Sequence, residues 1–175
     1  MDYEQIVSDL AQQVFDAIAP RVTPEDMERV RQAYLLAKEA HAPQKRKSGE
    51  PYILHPISVA LIAAKELQLD ANTVITAFLH DVVEDTRYTF EDLENEGFSA
   101  EVIAALRLLT HDKETPYMEY IANICRSGNE TAIRVKLNDL KHNLARGKEG
   151  GHLRCVEKHT EAIAYVEAAL RGESL

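Results

Sequence analysis

Four residues able to bind metal or move protons, His80, Asp81, Glu84 and Asp85, cluster within His80-Asp81-Val82-Val83-Glu84-Asp85. The stretch before them, through Val74, Ile75, Ala77, Phe78 and Leu79, is apolar nearly all round, the composition of a buried helix. Charge at the end of such a helix needs a reason, because burying it is costly unless it is paired or bound to metal. The spacing predicts one helix from Asn72 to Asp85, with His80 over Glu84 and Asp81 over Asp85 on common faces. Val82 and Val83 then turn toward the packed side. A lone His-Asp dipeptide carries no such weight. His111-Asp112 lies in a polar stretch before a proline with no acidic pair after it, and reads as a surface segment.

Two further segments could complete a site. Glu50-Pro51-Tyr52-Ile53-Leu54-His55-Pro56 sets His55 just before a proline that starts a helix; taken alone, His55 reads more readily as a structural or cap residue than as a ligand. The segment Arg134 to Asn143 places Asp139 and Asn143 on one helix face, with Asp139 bracketed by Leu137 and Leu140 at the edge of the core. Two histidines and two aspartates make a ligand set for a divalent first-row metal. Imidazole with carboxylate suits Mn²⁺, Fe²⁺ or Zn²⁺, so ligand type alone does not choose the ion.

The order of these motifs resembles the hydrolase domain of the RelA/SpoT family and its stand-alone relatives, the small alarmone hydrolases. The matching segments are Arg46-Lys47-Ser48-Gly49-Glu50-Pro51-Tyr52 with His55-Pro56, then His80 to Asp85, then Lys136-Leu137-Asn138-Asp139 with Asn143. The resemblance runs from about residue 27 to 170. It implies an all-α, HD-superfamily helical bundle with one metal site. It implies that His55, His80, Asp81 and Asp139 hold one ion, usually Mn²⁺, and that Glu84 and Asp85 are the catalytic acids. By the same motif matching, Arg46, Lys47, Ser48 and Asn143 line the nucleotide site, with Arg46 against the base. One departure stands out: Asn138-Asp139-Leu140-Lys141-His142-Asn143 replaces the more common Ala-Asp-Arg-Leu-His-Asn. It keeps the aspartate but alters the surroundings of the base, where Lys141 and Arg146 are expected.

The elements that must position these groups are also legible. Apolar spacing at Ile6, Leu10, Val14, Phe15 and Ile18 predicts a first helix to about Ala19. Thr23-Pro24-Glu25-Asp26 is a capped start for a second, to about His41. Ala42 to Tyr52, with Pro43, Ser48, Gly49 and Pro51, is a loop carrying the tight basic cluster Lys45-Arg46-Lys47. A helix is expected from Pro56, a short acidic one after Thr89, one from Ser99, one from Thr115-Pro116, and one from Asn129 to about Ala145. Gly147 to Gly151 is expected to be a flexible loop before a last helix, roughly Leu153 to Arg171. No stretch alternates cleanly at period two. Residues 1–175 read as a single hydrolase domain, with 1–22 an N-terminal helical extension.

Composition narrows the function classes. A formal net charge of −9 argues against a nucleic-acid polymer as partner, since phosphate neutralisation carries such binding. A bound cation can still reverse the field locally for a small anion. Cys125 and Cys155 sit in no ligand spacing and read as free thiols of a reducing compartment. No apolar run approaches the roughly 20 residues that span a bilayer, and the N-terminus lacks the pattern of a signal peptide. The expected setting is the cytoplasm, away from membranes, with a homo-oligomer allowed. The leading expectation is release of pyrophosphate from the 3′ position of guanosine tetra- or pentaphosphate (ppGpp or pppGpp). The same site could act on adenine alarmones or as an NADPH phosphatase. A non-catalytic nucleotide-binding module is disfavoured by the presence of every presumed ligand and both acids.

Overall fold

The computed structural model describes residues 2–173, which form ten α-helices; the only β pairing among them is an isolated bridge between Lys45 and Pro51. Helix α1 (Tyr3–Ile18) starts where the Asp2 carboxylate accepts the Gln5 N–H. Helix α2 (Pro24–Ala40) starts on Thr23, whose hydroxyl accepts the Asp26 N–H, with proline in the first helical position. Val7, Ala11, Val14, Phe15 and Ile18 of α1 lie in the same hydrophobic core as the rest of the chain. Arg21 ties this helix down further, its guanidinium donating to the Ala64 and Leu69 carbonyls at 2.8 and 3.1 Å.

Helix α3 (Leu54–Leu61) begins two residues before the expected Pro56. A proline is tolerated in a first turn, where its missing N–H has no intrahelical partner to lose. His55 therefore lies inside the helix rather than ahead of it. Helix α3 runs on into one wide π turn, Ile62–Glu66.

Helix α4 (Ala71–Leu79) is the central element, packed against α2, α3, α7 and α9 and burying Val74, Ile75, Ala77, Phe78 and Leu79. The single helix expected over Asn72 to Asp85 is divided. Helix α4 stops at Leu79, His80 and Asp81 form a turn, and α5 (Val82–Asp85) is one turn long. Asp81 sits at φ −105°, ψ −1°, away from the helical optimum. In an unbroken helix adjacent side chains diverge by about 100°. The break lets neighbours His80 and Asp81 point at the same spot.

Helices α6 (Phe90–Asn95), with a reciprocal Thr89–Asp92 cap, α7 (Ala100–Leu109), starting on Ser99, and α8 (Tyr117–Arg126) complete one side. Helix α9 (Glu130–Gly150) is longer than expected, because the glycine-rich segment forms its last turns. Gly147 is buried there beside Val156 and Cys155 of α10 (Leu153–Leu170). The helix ends at Gly151, in the left-handed region at φ 71°. The His152 N–H then bonds the Gly147 carbonyl and the Gly151 N–H that of Lys148, the paired closure of a left-handed stop. Helix α10 folds back along α9 and α8. No helix among the described residues is long and apolar enough to cross a membrane.

Candidate metal centre

Three parts of the chain converge on one point. His55 comes from the first turn of α3, His80 and Asp81 from the α4–α5 turn, and Asp139 from the middle of α9. His55 Nε2 lies 2.7 Å from Asp139 Oδ1 and 3.8 Å from Asp81 Oδ2. His80 Nε2 lies 3.3 and 3.1 Å from the same two oxygens. One donor atom from each of the four residues falls within 4.8 Å of the others. His55, His80 and Asp139 are at most 5% exposed. Buried, mutually facing imidazole nitrogens and carboxylate oxygens are the arrangement a divalent cation fills, so the residues present fit such an ion.

Each donor is oriented by a further contact. His80 Nδ1 is 2.7 Å from the Ala77 carbonyl and must carry the proton, which leaves the Nε2 lone pair facing the cluster. His55 Nδ1 is 2.7 Å from His142 Nδ1. Burial, with His55 and Arg46 nearby, pushes His142 down to about 4, so it is neutral and able to accept from His55. Asp81 Oδ2 accepts the Tyr52 hydroxyl at 2.5 Å. Asp139 accepts from Lys136 Nζ at 3.0 Å and from Asn143 Nδ2 at 3.1 Å. Burial works against ionising Asp139, but Lys136 and the imidazoles outweigh it and hold the carboxyl well below the usual range.

His142 and Lys136 lie three residues either side of Asp139, so helical spacing could have flagged both. Nothing in the sequence joins Tyr52 to Asp81.

Glu84 and Asp85 lie outside that four-residue cluster and form a second acidic group with Asp81. Asp81, Glu84 and Asp85 approach one another to within 4.8 Å at the mouth of a 220 Å³ cavity that also takes in His80, Asp139 and Lys136. Glu84 Oε1 accepts the His111 backbone N–H at 2.7 Å. Burial first, then the charges of Asp81 and Glu84, push Asp85 up to about 6. His111, read from sequence as a surface residue, is thus a wall of this cavity. Its ring stacks on Tyr120 with centroids 4.5 Å apart, and its Nε2 bonds the Thr115 carbonyl at 2.7 Å.

Residues 33–131 match the HD domain family. The chain belongs to that family. HD hydrolases are metal-dependent, and the buried cluster is this chain's candidate metal site. The bifunctional (p)ppGpp synthase/hydrolase SpoT of Escherichia coli K12 is 42% identical over 130 residues, covering 69% of this chain and 18% of that protein. The guanosine-3′,5′-bis(diphosphate) 3′-pyrophosphohydrolase of Aquifex aeolicus is 38% identical over 127 residues, again 69% of this chain and 18% of the relative. The chain thus spans about a fifth of the length of these curated relatives. A solved metazoan ortholog of SpoT, described as hydrolysing ppGpp with a role in starvation responses, superposes with a TM-score of 0.63. It is 25% identical, with 82% of this chain and 92% of that chain covered.

Next to the HD cavity opens a larger cleft of 540 Å³, and Tyr52, Asn143 and His159 line both. Its floor is the α2–α3 loop with Lys45, Arg46, Lys47 and Ser48, and its far wall is Arg146 and Gly147 of α9. Gly49 closes this loop at φ 91°, where the Arg46 N–H bonds the Glu50 carbonyl and the Gly49 N–H that of Arg46. Arg46 lies over the Tyr52 ring at 5.7 Å and donates to Asn143 Oδ1 at 3.2 Å. Arg146 pairs with Glu50 and donates to Ser48 Oγ at 3.0 Å. Lys141, expected near the base, instead reaches Glu167 at 3.8 Å and lines neither cavity, because residue 141 falls on the α10 side of α9.

Proposed function

We propose that this HD domain hydrolyses guanosine tetra- or pentaphosphate at the 3′ position, giving GDP or GTP and pyrophosphate, with Mn²⁺ held by His55, His80, Asp81 and Asp139. The observation that carries the reading is the shared wall: the cavity of the buried His/Asp cluster and the acidic pair has Tyr52, Asn143 and His159 in common with a basic cleft of 540 Å³. Similarity to relatives named as 3′-pyrophosphohydrolases supports the same substrate. Residues 1–175 act as one unit in this reading, and their two free thiols and acidic balance suit the cytoplasm.

A divalent ion bound by the four ligands would neutralise phosphoryl oxygens and acidify water. Everything else falls to side chains. Arg46 offers a flat guanidinium for a base to stack on, preset by its contact with Asn143. Lys47 and Ser48, with the amide of Asn143, meet the sugar and 5′-phosphates. Glu84, one oxygen anchored by the His111 N–H, orients a water against the phosphorus next to the 3′ oxygen. Asp85, pushed up to about 6, takes a proton from that water near neutral pH. The phosphorus gains the hydroxyl, its bond to the 3′ oxygen breaks, and that oxygen keeps the electron pair and gains the proton. Pyrophosphate therefore leaves intact.

The test is incubation of the protein and Mn²⁺ with guanine and adenine alarmones and NADPH, with products resolved chromatographically. Pyrophosphate plus GDP is the expected outcome. Orthophosphate alone would sink the reading.

A further inference from the structure

The metal cavity has a charge problem. Four carboxylates, of Asp81, Glu84, Asp85 and Asp139, face into it. A divalent cation and the Lys136 ammonium offset three of those charges and leave one negative in excess. A polyphosphate would enter against that excess. Lys136 is already paired with Asp139 at 3.0 Å, so its charge is counted in that balance. The basic side chains of the α2–α3 loop line the other cavity.

One cation remains. Lys158 of α10 lines the metal cavity, and its Nζ stands 3.9 Å from the centre of the Tyr117 ring. Among the described residues no carboxylate lies within ion-pair distance of it. The aromatic face orients the ammonium while leaving its N–H donors open. Next to it, His159 lines both cavities with an Nδ1 that is shielded from solvent and has no hydrogen-bond partner. Helix α10 lies beyond the residues matched to the HD domain family, so the match itself says nothing of these side chains.

We propose that Lys158 is the phosphate-binding cation of the metal cavity, meeting the pyrophosphate end of the substrate across from the metal ligands. This rests on the reading of the substrate as a pyrophosphorylated nucleotide. Lys158 removes the residual negative charge and holds the leaving group, so it acts on binding of the diphosphate rather than on the ion.

The experiment compares full-length wild type, Lys158→Gln and Lys158→Arg, all loaded with Mn²⁺. Calorimetry with inorganic pyrophosphate is run beside metal analysis, circular dichroism and turnover of guanosine tetraphosphate. Lys158→Gln should keep its metal and fold but bind pyrophosphate about tenfold more weakly, the size of one lost charge-assisted hydrogen bond. Lys158→Arg should recover most of that loss. Unchanged pyrophosphate affinity in Lys158→Gln overturns the proposal, as does a wild type that binds no pyrophosphate, or an equal loss in both variants. A wild type that turns over no alarmone yet binds pyrophosphate through Lys158 defeats the reading of function and leaves this assignment standing.

Discussion

The metal cavity and the basic cleft share three wall residues, yet they are built differently. Every candidate metal ligand of the cavity sits on a helix or a tight turn, is buried or nearly so, and is held by a second side chain or carbonyl. The cleft is floored by a loop and closed by the end of α9 and the start of α10; of its basic side chains Lys45 and Lys47 are exposed and Arg46 and Arg146 half-buried. The difference follows from what each must do. Metal ligands must stay within a few tenths of an ångström of their geometry, which only packed elements ensure. A base-binding surface gains from stacking and charge that tolerate small shifts. Chemistry is therefore expected to be brittle on one side of the shared wall and graded on the other.

The comparison breaks most visibly at the ligands. His80→Ala or Asp81→Ala should abolish both bound metal and turnover, because either leaves an incomplete buried cluster. Metal analysis on the purified variants checks it, and full occupancy in either would remove that residue from the ligand set.

A step smaller, Glu84→Gln and Asp85→Asn should fold, keep the ion and bind nucleotide, yet turn over at least about a hundredfold more slowly, within the usual range for a lost acid–base group. The pH profile sharpens this. Asp85 works as a base only when ionised, and it is pushed up to about 6, so wild-type kcat/KM should fall as pH drops through that value. A bound cation pulls the limb lower, never higher. Asp85→Asn should lose the limb altogether. Loss of metal in either variant would instead move the acid into the ligand set.

Tyr52→Phe tests whether rigidity in the cavity comes from its supporting contacts. The hydroxyl that fixes Asp81 disappears while the ring remains. Metal affinity should weaken by roughly 10–100-fold, the usual cost of such a contact. A titration with unchanged affinity would show that Asp81 is placed by its backbone alone.

The smallest effect belongs to the cleft. Arg46→Ala should raise KM by about tenfold, one stacking and charge contact, while leaving metal content untouched. A larger fall in kcat than rise in KM would mean that the shared residue Asn143, which Arg46 holds, couples the two regions.

Much of this architecture is legible in the order of residues. The cap at Thr23, the cap at Ser99 and the apolar run of α4 are local signals, and each element forms where they stand. Where the fold departs from those signals, a tertiary or backbone effect intervenes. The glycines at 147, 150 and 151 look like a loop, but Gly147 is buried within the helix beside α10, and of these glycines only Gly151 leaves the helical region. His111 looks superficial because its role runs through its backbone N–H and a ring stacked on Tyr120, neither of which has a spacing in sequence.

By itself, the sequence determined which residue types could hold a cation and move a proton, and that helices would carry them. These follow from composition and from periodicities of three and four residues. Tertiary structure alone decided the break between Leu79 and Val82, the approach of Tyr52 to Asp81, and the arrival of Lys158 in the metal cavity. Those contacts join residues on different elements, and their geometry exists only once the core packing of α4 against α3 and α9 has fixed how the helices cross.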